Sequence, residues 1–174
     1  DALPILAGLP AAGKSTIAEV VGNRMGVPVV SVDPIEAAIL SAGIDADQPT
    51  GLAAYLVAEA FADAVLAGDG SIIVDAVNAV SPAREQWVKL ADRQKSDIRF
   101  IEVVCSDREL HGERLTARAA RLAETALPGA FAVEQSLDEW EEWSGASGAI
   151  ARITLDSVEP LGVNVERALA FLQR

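Results

Sequence analysis

The run Gly8-Leu9-Pro10-Ala11-Ala12-Gly13-Lys14-Ser15 carries the clearest chemistry in this chain. It fits the Walker A pattern G-x-x-x-x-G-K-S, in which backbone N–H groups and a helix N-terminus wrap around phosphate oxygens. Gly8 and Gly13 permit close backbone approach, Lys14 places a point positive charge on the β and γ phosphates, and Ser15 offers its hydroxyl to magnesium. Thr16 adds a candidate bond to the α phosphate. Pro10 stiffens the loop, and Ala11 and Ala12 occupy positions where side chains must stay small. The expected nucleotide-binding set is therefore Gly8, Leu9, Pro10, Ala11, Ala12, Gly13, Lys14, Ser15 and Thr16.

Two carboxylates, Asp33 and Asp75, each close a short β-like run, so a parallel sheet would bring both to the edge where the phosphates lie. One of them, beside an acceptor hydroxyl, can orient it and take its proton; the other, beside Ser15, can hold magnesium or its waters. The spacing leaves the division of labour open. No Lys, Arg or His occurs between Arg24 and Arg84, whereas eight acids do. An acceptor bearing a phosphate needs arginines, because a desolvated dianion must be paired. Only Arg84 is near. The expected acceptor is a neutral or amine-bearing alcohol, met by Asp33, Asp75, Asn78 and Arg84.

Arg114, Arg118 and Arg121 fall at i, i+4 and i+7, with Arg108 a turn and a half earlier, so a helix would carry them on one face. Like charges stacked this way repel, which suits an anion brought from outside. Such a helix closing over the γ phosphate would exclude water and stabilise transition-state charge. The single histidine, His111, has no partners at metal spacing and is expected to face solvent. Cys105 is expected as a buried strand residue and Trp87 as core. The cluster from Asp138 to Trp143 is expected as an aromatic pair on an acidic helix.

These groups need a frame, and the pattern supplies one. Short aliphatic runs at Leu3–Ala7, Val29–Asp33, Ser71–Asp75, Arg99–Val104 and Ile150–Leu155 alternate with helical stretches, as in a parallel sheet covered by helices. The helices are expected at Lys14–Arg24, Pro34–Ser41, Leu52–Ala67, Pro82–Lys95, Asp107–Glu124, Val133–Trp143 and Val163–Leu172. Ser81-Pro82 and Ser106-Asp107 place N-cap chemistry after the third and fourth strands. The 174 residues make one α/β domain, with mobile stretches expected at Gly43–Gly51 and Leu127–Gly148. A net charge of −12 opposes general attraction to nucleic acid or anionic membrane. The most apolar stretch, Leu52–Ala67, carries Glu59 and Asp63, so no membrane span is expected. Leu3–Ala7 has no basic flank and reads as a strand rather than a signal peptide, and one cysteine suits a reducing cytoplasm. Because the chain opens on Asp1 rather than methionine, a few native residues are expected to be missing.

Taken together, the residues resemble the small P-loop kinases that include zeta-toxin-type kinases, chloramphenicol phosphotransferase and the kinase domain of polynucleotide kinase. The likeness rests on Gly8 to Thr16, on Ser31-Val-Asp33, on Ile73-Val-Asp75-Ala-Val-Asn78 with Ser81-Pro-Ala-Arg84, and on Cys105-Ser-Asp107 leading to Arg114 and Arg118. It implies a P-loop NTPase fold with a five-stranded parallel sheet and a helical lid at about 107–148. It further implies ATP with Mg2+ and γ-phosphate transfer to a hydroxyl, with Lys14 at the phosphates, Asp33 as base, Asp75 at the metal, and Arg114 and Arg118 as lid arginines. Arg118 would also bind the nucleotide. The segment Leu155 to Pro160 resembles the loop lining the adenine pocket. Polynucleotide kinases carry a basic residue soon after the Asp33 position; here Pro34, Ile35 and Glu36 follow. A GTPase-like switch would use Asp-x-x-Gly and Asn-Lys-x-Asp, and neither occurs. A toxin kinase acting on a sugar nucleotide would need basic contacts that residues 25–83 lack.

Overall fold

The computed structural model describes residues 2–124 and 140–174. Five strands, β1 (Ala2–Ala7), β2 (Val29–Ser31), β3 (Ile73–Asp75), β4 (Asp97–Val104) and β5 (Arg152–Asp156), form one sheet in the order β2-β3-β1-β4-β5. Every pairing is parallel. The described helices are α1 (Lys14–Met25), α2 (Val32–Ser41), α3 (Thr50–Ala67), α4 (Ser81–Gln94), α5 (Arg108–Glu124), α6 (Gly145–Ala149) and α7 (Leu161–Leu172). This is the α/β architecture expected from the alternating pattern.

A strand covered on both faces needs apolar residues throughout, which is why β1 reads as an unbroken run. Side chains alternate between two cores. Leu3, Ile5, Val74 and Phe100 face α3 and α4, where Ala54, Ala58, Ala62 and Trp87 complete the packing. Leu6, Ile73, Ile101 and Leu155 face α1 and α7 through Ile17, Val21 and Val165. β1 lies between β3 and β4, so its carboxyl end opens at the crevice where connections depart in opposite directions. The Walker loop leaves from there.

Three expectations change. β2 stops at Ser31, and Asp33 lies in the first turn of α2 instead of closing the strand. A proline within the first turn loses no helical hydrogen bond and an acid there meets the positive end of the helix dipole, so Asp33-Pro34 suits a helix start. The helix expected at Val133–Trp143 falls largely outside the described residues, as do much of the lid and of the stretch Leu127–Gly148. Its described part, Trp140 to Trp143, is not helical. The segment is instead tied back by Glu141, whose N–H donates to the Ala79 carbonyl at 2.9 Å.

By length and composition alone α3 could cross a membrane, with mean hydropathy 1.4 over 18 residues, a property that a helix packed in the core of a soluble protein shares. In this fold it packs Ala54, Ala58, Ala62 and Leu66 against the core. Glu59 and Asp63 pair with Arg93 of α4 at 3.2 and 3.0 Å.

Candidate active site

The phosphate loop is shaped by close approach. Gly8 has φ +155, and a Cβ there would lie 2.2 Å from the Val103 carbonyl oxygen, so no side chain fits. Gly13 has φ +103, and its added Cβ would meet the Ser157 Cβ at 3.1 Å. Between them Ala11 holds φ +60, a left-handed conformation that costs an L-residue about 1–2 kcal/mol. The loop therefore stores strain at a residue facing the cleft.

Lys14 opens α1 and is 6% exposed, its ammonium donating to the Leu9 carbonyl at 3.1 Å. Burial lowers its pKa; Asp75 and then Asp33 pull the other way without cancelling the effect. An ammonium held dry beside open backbone donors is poised for a phosphate anion.

Asp75 ends β3, as expected, and is 4% exposed. Its Oδ2 accepts from Ser15 Oγ at 2.7 Å and from Ser31 Oγ at 3.0 Å. Its Oδ1 is buried without a partner. A buried carboxylate oxygen left over beside a serine hydroxyl is a hard-oxygen donor set, which fits a magnesium ion held mainly by phosphate and water. Among the described residues no group of three or more His, Cys, Asp or Glu could hold a metal by itself. The set is therefore one that a nucleotide would have to complete.

Asp33 meets α5 from the first turn of α2. Its Oδ2 accepts from Arg118 Nη2 of α5 at 2.5 Å, with the two side chains 47% and 25% exposed. Such a half-exposed pair stabilises little and exchanges readily. Arg114 donates from Nη1 to Ser157 Oγ at 2.7 Å and from Nη2 to the Ser157 carbonyl at 3.4 Å, bridging α5 to the loop after β5. Together α1, α5 and the β5–α7 loop enclose a cleft of about 440 Å3, lined among others by Gly13, Thr16, Arg114, Arg118, Ser157 and Asn164. Ser157 and Glu159 bring the resembling tail segment into its wall.

Asn78 and Arg84, expected at the acceptor, are instead wholly buried. Asn78, at φ +50, gives Nδ2 to the Leu6 carbonyl at 2.7 Å and takes the Trp87 indole N–H on Oδ1 at 2.9 Å. Arg84 donates to the carbonyls of Asn78 at 2.7 Å, Ala79 at 2.9 Å and Glu142 at 3.4 Å. Its guanidinium also lies over the rings of Trp143 and Trp140, at 4.0 and 4.8 Å from their centroids. Burial pushes its pKa below the ordinary arginine value, with Glu102 opposing. With their donors committed to backbone carbonyls, both residues shape the strand end. The aromatic pair expected at Trp140 and Trp143 is present, edge to face at 6.4 Å, around this arginine.

Sequence reasoning missed two site residues and misplaced a third. Tyr55 of α3 accepts the Asn78 N–H at 3.0 Å and packs on Trp87. Its pKa is pushed up to about 12, first by burial, against the Asn78 hydrogen bond, with smaller contributions from the charges of Asp33, Asp75 and Glu36. Its being the only tyrosine was the sole available signal. Asn164 of α7 lines the cleft, gives Nδ2 to the Asp156 carbonyl at 2.7 Å and leaves Oδ1 buried without a partner. His111 does not simply face solvent: its Nε2 lies 2.8 Å from the Pro10 carbonyl oxygen. Cys105, expected in a strand, is half-buried in the loop after β4, with Sγ 3.8 Å from Arg114 Nη1.

The chain is similar in fold to solved structures at low sequence identity. A provisionally assigned kinase from Chloroflexus aurantiacus J-10-fl matches with TM-score 0.76 and 20% identity, over 99% of this chain and 96% of that one. A sugar kinase from Janibacter sp. HTCC2649 matches with TM-score 0.68 and 20% identity, over 99% and 94%. Chaetomium thermophilum Kti12, in complex with ADP-AlF3, matches with TM-score 0.72 and 15% identity, over 98% of each chain. No curated protein sequence matches. The family model described as an AAA domain covers residues 3–142, a span that includes the Walker A loop, Asp33, Asp75, Arg114 and Arg118, and the chain belongs to that family.

Proposed function

We propose that this protein is a cytoplasmic ATP-dependent kinase that transfers the γ phosphate to a hydroxyl, as the resemblance to small P-loop kinases implies for the reaction, and that its acceptor is a small neutral or amine-bearing molecule. The observation that carries the reading is the Asp33 carboxylate paired with Arg118, an arginine that lines the cleft together with the buried Lys14 of the phosphate loop. A nucleotide-binding loop alone needs no such carboxylate.

In this reading the loop N–H groups and Lys14 grip the β and γ phosphates, and Arg114 and Arg118 turn from Ser157 and Asp33 onto the transferring group. Arg118 thereby releases Asp33, which accepts the proton of the acceptor hydroxyl. The acceptor oxygen bonds to the γ phosphorus as the bond to the bridging β–γ oxygen breaks, and ADP leaves. Ser15 and Asp75 would hold Mg2+, which when bound neutralises charge on the phosphates. The absence of basic side chains from residues 25–83 supports an acceptor without phosphate.

The test is Asp33→Asn, assayed by ADP release with an acceptor found by screening hydroxyl-bearing metabolites and aminoglycosides. Turnover should fall about 10²–10⁴-fold, the usual worth of a general base, while ATP affinity stays near wild type. Full activity in the variant, or efficient phosphorylation of a nucleoside monophosphate by the wild type, refutes the assignment.

A further inference from the structure

We propose that His111 is a positioning residue of the phosphate loop: its Nε2–H, donated to the Pro10 carbonyl, pins the lid helix to the loop and fixes the peptide that presents the Ala11 N–H. The inference rests on the nucleotide-site reading above, and it assigns a role to an α5 side chain that grips the loop backbone. The contact is 2.8 Å long and joins residues 101 apart in sequence. A carbonyl oxygen can only accept, so Nε2 must carry the proton.

Pro10 contributes no N–H, and Ala11 occupies the left-handed region without being glycine. The next carbonyl back, that of Leu9, takes two donors from within the loop, Lys14 Nζ at 3.1 Å and Ala12 N at 3.2 Å. The Pro10 carbonyl receives its hydrogen bond from the lid instead. In a planar trans peptide the C=O and N–H point in opposite directions. Holding the Pro10 oxygen towards His111 therefore turns the Ala11 N–H away from the lid-side contact, in a loop whose Ala11 lines the cleft.

The same contact sets the lid. His111, Arg114 and Arg118 stand at i, i+3 and i+7 of α5 and share one face. The partners of the two arginines, Ser157 and Asp33, are ones a phosphate can displace, whereas the Pro10 carbonyl is itself an acceptor and does not compete for phosphate. The arginines can thus exchange partners on nucleotide arrival while His111 keeps α5 in register with the loop.

The experiment is titration of fluorescent ADP into wild type, His111→Ala, His111→Gln and His111→Asn, each with its melting temperature. A glutamine amide nitrogen reproduces the reach of Nε2, and an asparagine amide falls short. His111→Ala and His111→Asn should weaken ADP binding about 2–10-fold, the effect of one lost hydrogen bond, with His111→Gln within about 2-fold of wild type. Where the alanine variant does not fold, glutamine against asparagine decides. ADP affinity equal to wild type in His111→Asn, or a loss in His111→Gln as large as in His111→Asn, overturns the role. No ADP binding by the wild type overturns the nucleotide reading itself, and the role of His111 with it.

Discussion

Replacing Arg84 by methionine separates its two assignments, acceptor contact and structural post. Methionine keeps much of the aliphatic stem that packs under Trp143 and removes the donors. Two of those donors make buried bonds to the Asn78 and Ala79 carbonyls, and a charge-assisted bond of this kind contributes about 1.5–3 kcal/mol, giving about 3–6 kcal/mol lost. Relief from burying the guanidinium, the cause of its lowered pKa, offsets part of this. We expect a net destabilisation of about 3–4 kcal/mol, or roughly 6–16 °C in melting temperature for a domain of this size. Urea unfolding followed by tryptophan fluorescence measures it directly, since Trp140 and Trp143 both stack on the guanidinium. Acceptor KM of the folded fraction should stay within about 3-fold, below the tenfold worth of 1.4 kcal/mol. A variant as stable as wild type whose acceptor KM rises more than tenfold would show that Arg84 serves the substrate and that the structural argument is wrong.

Two further outcomes follow from the buried ionisable groups. Lys14→Met should abolish nucleotide binding yet raise the urea midpoint of the nucleotide-free protein at neutral pH, because the fold penalises the ammonium. Since the folded pKa is lowered, the unfolded chain binds more protons between that value and 10.5. The penalty is therefore full below the folded pKa and fades as pH rises, so the advantage of the methionine should shrink towards pH 10.5 in parallel urea titrations. Tyr55→Phe tests the opposite case: a group raised from 10.0 to about 12 contributes stability that is complete below pH 10 and lost as pH climbs through 12. Wild type should lose about 2–3 kcal/mol across that window beyond what the phenylalanine variant loses. At neutral pH the variant should be about 1–3 kcal/mol weaker, for the stranded Asn78 N–H.

Much of the molecule was legible in its sequence because the relevant signals are local. Gly8, Gly13, Lys14 and Ser15 follow from what a phosphate demands of adjacent residues, and the five strands follow from buried aliphatic runs. Asp75 was legible because it closes a run, Ile73–Asp75, whose residues are all buried. Asp33 was found and its element mistaken, since a proline three residues after a serine suits a strand exit and a helix start equally. Asn78 and Arg84 were drawn to the acceptor by their nearness in sequence to Asp75. Whether a polar side chain there faces solvent or core is set by Trp87 and the Trp140–Trp143 segment, which arrive from elsewhere in the chain.

The sequence alone thus determined the phosphate loop, the strand count and the kind of chemistry, because each depends on residues within a few positions of one another. The tertiary structure decided which distant groups meet: Arg118 on Asp33, Arg114 on Ser157 and His111 on Pro10. These pairs lie between 43 and 101 residues apart where the separation is a single hydrogen bond. No periodicity encodes such a contact; it exists only once the sheet order has brought the carboxyl ends of β1, β3 and β5 to one edge.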